Sequence, residues 1–108
     1  METRIQAIKF DATEKLEAYI DKKLGKLGKF FEQATSADVI LKVVKPESAV
    51  NKEVEITIFA PNQKFFASKI ADTFEQAADE CVVAIEKQIE KKKKKSFKNK
   101  LKTLFKMD

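Results

Sequence analysis

Five consecutive lysines, Lys91 to Lys95, are the densest chemistry in this chain, and other lysines gather near them in pattern. Lys22, Lys23, Lys26 and Lys29 form a second cluster, and Lys87 leads into the run. Exposed lysines bind anions. Neighbouring ammonium groups repel one another unless an anion lies close, and a nucleic-acid backbone supplies a row of them. Taken alone, the run reads equally as a solvated tail.

The charge is unevenly spread. Residues 1–86 carry 12 basic and 15 acidic side chains, whereas residues 87–108 carry 10 basic and 2 acidic. Such asymmetry points to an anionic partner, either nucleic acid or an anionic membrane surface.

Other chemistries lack their residues. There is no His and one Cys, so a Ser-His-Asp triad, a His-based metal site and a disulfide framework have no parts. Carboxylates are plentiful but fall on solvated helix flanks without a glycine loop or metal spacing near them. Gly25-Lys26-Leu27-Gly28-Lys29 lacks Ser or Thr after its lysine and lies within a helical pattern, so it is no phosphate loop. No catalytic residue, metal, cofactor or small-molecule substrate is expected. A single Cys suits a reducing compartment. No apolar run follows Met1-Glu2-Thr3-Arg4, and no stretch reaches the roughly 18 apolar residues of a spanning helix. A cytoplasmic protein is expected.

The elements that must position the lysines follow from periodicity. Thr3 to Lys9 reads as a strand. Thr13 is the preferred N-cap of a helix running to about Phe31, with Leu16, Ile20, Leu24, Leu27 and Phe31 in its apolar stripe and Tyr19 and Phe30 at one edge. Ser36 to Lys45 reads as a strand with Val39, Leu41 and Val43 on one face. Glu53 to Phe59 alternates most clearly. Pro61-Asn62-Gln63 is a turn, and Lys64 to Ile70 returns as a fourth strand, with Phe65 and Phe66 pointing to opposite faces. Asp72 or Thr73 caps a second helix to about Lys95, its stripe formed by Phe74, Ala77, Ala78, Cys81, Val82, Ile85 and Ile89. Cys81, central in that stripe, reads as a buried, inert thiol.

The predicted class is α+β in the order β-α-β-β-β-α: a four-stranded mixed sheet with both helices packed on one face. Residues 1–95 are expected to form one domain. Residues 96–108, where Phe97, Leu101, Leu104 and Phe105 alternate with lysines, are expected to form a basic amphipathic tail.

At about 100° per residue, each helix segregates its charges. Lys15, Lys22, Lys26 and Lys29 fall on one flank of the first stripe, and Glu17, Asp21 and Glu32 on the other. On the second helix Lys87, Lys91 and Lys94 share a flank with Glu80, while Glu75, Asp79, Glu86 and Glu90 line the opposite one. An ordinary solvated helix would tend to mix the signs. Two segregated helices and a lysine run together describe a phosphate-binding surface. Lys23 and Lys92 project near the stripes and read first as stems lying along the core edge. Tyr19 and the phenylalanines read as core before they read as platforms for bases.

These segments, in this order, carry a resemblance. The opening strand, Asp11-Ala12-Thr13-Glu14-Lys15-Leu16, Tyr19-Ile20-Asp21-Lys22-Lys23-Leu24 with Lys26-Leu27, Ala37-Asp38-Val39-Ile40-Leu41, Val54-Glu55-Ile56-Thr57-Ile58, Asp72-Thr73-Phe74-Glu75-Gln76-Ala77-Ala78-Asp79 and Ile85-Glu86-Lys87-Gln88-Ile89 resemble the short ribosome hibernation factors, also called ribosome-associated inhibitors. The resemblance covers residues 1 to about 95. It implies a fold similar to double-stranded-RNA-binding domains and binding in the decoding channel of the small ribosomal subunit, where mRNA and tRNA would sit. It also implies contacts with ribosomal RNA, and inhibition of translation by occlusion. Residues implied for RNA contact are Lys22, Lys23, Lys26, Lys87, Lys91, Lys92 and Lys94; Lys29 and Lys95 join them from the charge pattern. Many members carry Met-Tyr where this chain has Phe74-Glu75, some short members end in an acidic tail, and long members add a dimerisation domain for which this chain has no room. The protein is expected to be monomeric off the ribosome. Competing readings are a non-ribosomal RNA-binding module and, because of the tail, a membrane-surface protein.

Overall fold

The computed structural model describes residues 1–44, 47 and 49–106, with side chains described to position 92. The elements are β1 (Glu2–Ala7), α1 (Glu14–Phe30), β2 (Ser36–Val43), β3 (Lys52–Ala60), β4 (Gln63–Ala71) and α2 (Phe74–Lys106). The strands form one sheet in the order β1-β2-β3-β4. β1 pairs parallel to β2, and the two later pairings are antiparallel. This is the predicted mixed sheet, with the strand–helix–strand crossover where it was expected.

The capping residues are those the sequence proposes. The Thr13 hydroxyl accepts from the Leu16 N–H at 3.1 Å, with Thr13 in extended conformation ahead of the helix. Thr73 does the same for Gln76, also at 3.1 Å. Each supplies an acceptor for a backbone donor that the first helical turn would leave unpaired. Two residues join β3 to β4: Pro61, whose ring fixes its φ, and Asn62, which takes a left-handed φ of 60°.

The core lies on one face of the sheet. Ala37, Val39 and Leu41 of β2, Val54, Ile56 and Ile58 of β3, and Phe65, Ala67 and Ala71 of β4 are buried in the alternation a half-covered sheet requires. Leu16, Ile20, Leu24 and Leu27 of α1, followed by Phe31, cover them together with Ala77, Ala78, Cys81, Val82, Ile85 and Ile89 of α2. Phe31 meets Phe65 edge-on at 5.5 Å, and Phe10 stacks on Phe74 at 5.0 Å. Cys81 is buried beneath β3, its thiol donating to the Val54 carbonyl at 3.2 Å, and burial pushes it up to about 12. Phe65 and Phe66 do take opposite faces, and Phe66 is 49% exposed on the open side.

Three expectations are corrected. β1 ends at Ala7, because Lys9 adopts a left-handed φ of 63° that turns the chain out of the sheet. Val43 is 43% exposed: β1 stops opposite Leu41, so among the described residues no strand flanks Val43 on that side. α2 continues past Lys95 to Lys106. Its sequence from 74 to 106 holds neither Gly nor Pro, so the shift in composition at Ser96 brings no stop signal. The side chains of Phe97, Leu101, Leu104 and Phe105 lie outside the described set.

Neighbouring positions on α1 should respond oppositely to alanine. Leu24 is fully buried, so Leu24→Ala should lower unfolding stability by about 2–5 kcal/mol in a urea titration. A Cβ at Gly25 would meet nothing within 4 Å, so Gly25→Ala should raise stability by about 0.5–1 kcal/mol. Deleting residues 96–108 should leave the urea midpoint unchanged, since Ile89 is the last core residue described. A large drop would show that the tail packs on the domain.

Candidate nucleic-acid interface

Helical spacing on α1 places Lys22, Lys26 and Lys29 on its outer side, and all three are exposed. On α2, Lys87, Lys91 and Lys92 are exposed as well. Among the described residues none of these six forms an ion pair. The ion pairs present are Arg4–Asp38, Lys23–Asp79, and Lys42 with Glu53 and Glu55. The backbone places positions 94 and 95 in α2, and their side chains lie outside the described set.

Lys23 behaves differently from its neighbours. Its ammonium group lies 3.2 Å from an Asp79 carboxylate oxygen and 5.6 Å from the centre of the Tyr19 ring. The Tyr19 hydroxyl donates to the same carboxylate, at 2.9 and 2.8 Å from its two oxygens. Tyr19, Lys23 and Asp79 thus form one polar joint between α1 and α2. Lys23 keeps a half-buried stem at the core edge, as its position near the stripe implies.

This joint settles an orientation that periodicity left open. Asp79 belongs to the acidic flank of α2, and Glu75 and Glu86 of that flank also act on the joint, Glu75 on Tyr19 and Glu86 on Lys23. The acidic flank therefore faces α1. The basic flank of α2 turns toward β4, where the Gln88 side-chain amide donates to the Phe66 carbonyl at 2.8 Å. The two lysine flanks do not merge along the middle of the helices, because the acidic row of α2 lies between them.

Lysines of the two helices do come together at one end. Lys29, in the last turn of α1, and Lys92 of α2 line a common groove of about 660 Å³. The Lys92 ammonium lies 5.8 Å from the centre of the Phe65 ring. Lys69 of β4 borders the same surface depression as Lys87, on the other side of α2. Sequence reasoning passed over Lys69. The signal was there: a lysine in the inward phase of β4, between Ala67 and Ala71, can only reach water by bending out over the edge strand.

Among the described residues no group of three or more His, Cys, Asp or Glu side chains is placed to hold a metal ion. No described helix is long and apolar enough to cross a membrane.

The joint has a pH signature. Hydrogen bonding to the Asp79 carboxylate, then burial and the charge of Asp79, raise the Tyr19 phenol above the ordinary tyrosine value. Lys23 is raised by its bond to Asp79 and by that carboxylate's charge. Folding thus favours the protonated form of both groups. Their contribution is complete below the ordinary values near 10 and is lost as pH rises through the raised ones. Tyr19 is the one tyrosine and there is no Trp, so absorbance at 295 nm reports this phenol alone. It should titrate above a free tyrosine, and Asp79→Asn should bring it down. An unshifted wild-type titration would show that the joint does not hold in solution.

Comparison with known proteins finds relatives in sequence and in fold. A ribosome hibernation promoting factor from Acidithiobacillus ferridurans is 34% identical over 67 residues, covering 62% of this chain and 85% of that protein. A ribosomal subunit interface protein from Coxiella burnetii superposes with a TM-score of 0.76 at 18% identity, covering 86% of this chain and 98% of the other. The N-terminal domain of Protein Y from Thermus thermophilus gives 0.71 at 21% identity, covering 84% and 98%. These two likenesses concern the fold. Residues 3–96 match the family described as sigma 54 modulation protein / S30EA ribosomal protein, spanning every strand, α1 and most of α2, and the chain belongs to that family.

Proposed function

We propose that this protein is a ribosome hibernation factor. It binds the small ribosomal subunit in the channel that mRNA and tRNA otherwise occupy, and it stops translation by filling that space. The observation that carries the reading is the row of exposed lysines on α1, Lys22, Lys26 and Lys29, which have no counter-ion among the described residues. An unneutralised row on a rigid helix suits a fixed array of phosphates, because its geometry is set before binding. Lys87, Lys91 and Lys92 extend the contact onto α2, and Lys94 and Lys95 continue it along the helix. Lys23 acts chiefly as part of the interhelical joint and touches RNA second.

Membership in this family and the 34% identity to a named hibernation promoting factor support the ribosome as the partner. Ribosomal RNA is the surface the lysines meet, and the protein works in the cytoplasm as a monomer until it binds. Its action requires no bond making or breaking. Occupancy alone explains inhibition, so the protein should compete with the ligands whose place it takes.

Toeprinting of initiation complexes tests both parts. Wild-type protein should suppress the initiation toeprint, and excess mRNA with initiator tRNA should restore it. Reversing Lys22 and Lys26 to Glu together should abolish suppression while leaving the urea midpoint close to wild type, since both side chains are exposed. Affinity for small subunits should fall steeply with salt, each phosphate contact adding a log–log slope of roughly −0.7 to −0.9. Equal inhibition by wild type and the double reversal would remove α1 from the interface. Failure of mRNA and tRNA to compete would remove the channel.

A further inference from the structure

At the C-terminal end of α1 the chain leaves the helix, crosses to β2 and passes beside the β3–β4 turn. The groove of about 660 Å³ opens there, and its lining combines three chemistries. The first is aromatic: Phe30 is 40% exposed as a residue, and Phe65 forms part of the wall, braced edge-on by Phe31. The second is an amide pair: Gln63 Nε2 donates to Gln33 Oε1 at 3.1 Å across the groove lining. One hydrogen bond between two amides leaves further donor and acceptor capacity side by side, whichever way each amide is turned. The third is cationic: Lys29 and Lys92 stand on the rim, one from each helix.

Each part has a plainer use by itself, but the combination suits an unpaired nucleotide. A base has a face for an aromatic ring and an edge that needs both a donor and an acceptor, and its flanking phosphates need cations. The volume is within the range of small-ligand sites. Glu32 also lines the groove, and its carboxylate repels a phosphate on its own side. It leaves the Lys92 side for the backbone and can accept from a base amino group.

We infer that this groove holds one unpaired RNA base, its face against Phe30, its edge on the Gln33–Gln63 pair and its phosphates on Lys29 and Lys92. The inference deepens the ribosomal reading and rests on it for the identity of the RNA. The groove would give a protein that otherwise reads only phosphates a contact with base character.

The full chain should be titrated with a four-nucleotide single-stranded adenosine RNA and with an abasic strand of equal phosphate number, following the side-chain amide NMR signals of Gln33 and Gln63. The base-bearing strand should shift both signals and bind at least about fivefold tighter than the abasic one. Gln63→Ala and, separately, Phe30→Ala should erase that difference without changing abasic binding. Both positions lie outside the fully buried core, and Gln63→Ala in a turn-proximal site keeps the test open if Phe30→Ala unfolds. On small subunits, Gln63→Ala should leave one unpaired base newly open to chemical modification with the remaining footprint kept. Equal binding of the two strands, with a footprint unaltered by Gln63→Ala, overturns the groove assignment and leaves ribosome binding standing. Base-selective binding of the short strand without any wild-type footprint supports the groove and overturns the ribosomal reading.

Discussion

A four-stranded sheet with one apolar face must be covered, and among the described residues two helices cover it. The buried alternation across β2, β3 and β4 creates that demand, and the stripes of α1 and α2 answer it together. Neither helix can roll freely, since rotation by one residue would carry a leucine or isoleucine into water. The burial of side chains such as Ile20, Leu24, Ile85 and Ile89, each worth about 1.5–3 kcal/mol, fixes the rotation of both helices. Once rotation is fixed, the direction of every lysine on them is fixed too.

Charge is distributed very differently over the two sides of the molecule. On the open face of the sheet Arg4 pairs with Asp38 directly across β1 and β2, Lys42 reaches Glu53 across β3 and Glu55 beside it, and Lys64 lies over the Phe59 ring. Between the helices, Lys23 and Tyr19 share the Asp79 carboxylate. On the outer sides of the helices six exposed lysines, Lys22, Lys26, Lys29, Lys87, Lys91 and Lys92, go without a carboxylate partner among the described residues. An anion approaching the sheet would find Arg4 and Lys42 already engaged, whereas one approaching the helices finds Lys22, Lys26, Lys29, Lys87, Lys91 and Lys92 without a carboxylate at ion-pair distance among the described residues. Surface pairs contribute little stability, so this distribution says more about partners than about folding.

Much of this was legible in the sequence, and the parts that were not share a cause. Strand alternation exposed β3 almost to its ends, and Thr13 announced the start of α1 because its hydroxyl has a local task. Cys81 fell within an apolar stripe and is buried. Periodicity shows which residues share a flank, but it cannot say which flank of one helix meets the other. That choice depends on Asp79 finding Tyr19 and Lys23, residues 60 and 56 positions away in sequence. For the same reason the separation of the two lysine flanks was hidden, as was the groove, whose lining comes from α1, the loop after it, β4 and α2. The end of α2 is not marked in the sequence, because the change in composition at Ser96 is not a change in secondary structure. Lys9 and Val43 show the limit at strand ends, where a single turned residue or a missing neighbour outweighs the pattern.

The central claim is that the helical side, and not the open sheet, meets the ribosome. Hydroxyl-radical cleavage from a tethered iron chelate tests it directly. The buried, unreactive Cys81 permits selective labelling of one introduced surface cysteine. Val83→Cys places the chelate on the exposed side of α2, and Ser68→Cys places it on the open face of the sheet. Cleavage of small-subunit RNA lining the mRNA channel from position 83, with little from position 68, is the result this account expects. Strong cleavage from position 68 with none from position 83 would contradict it.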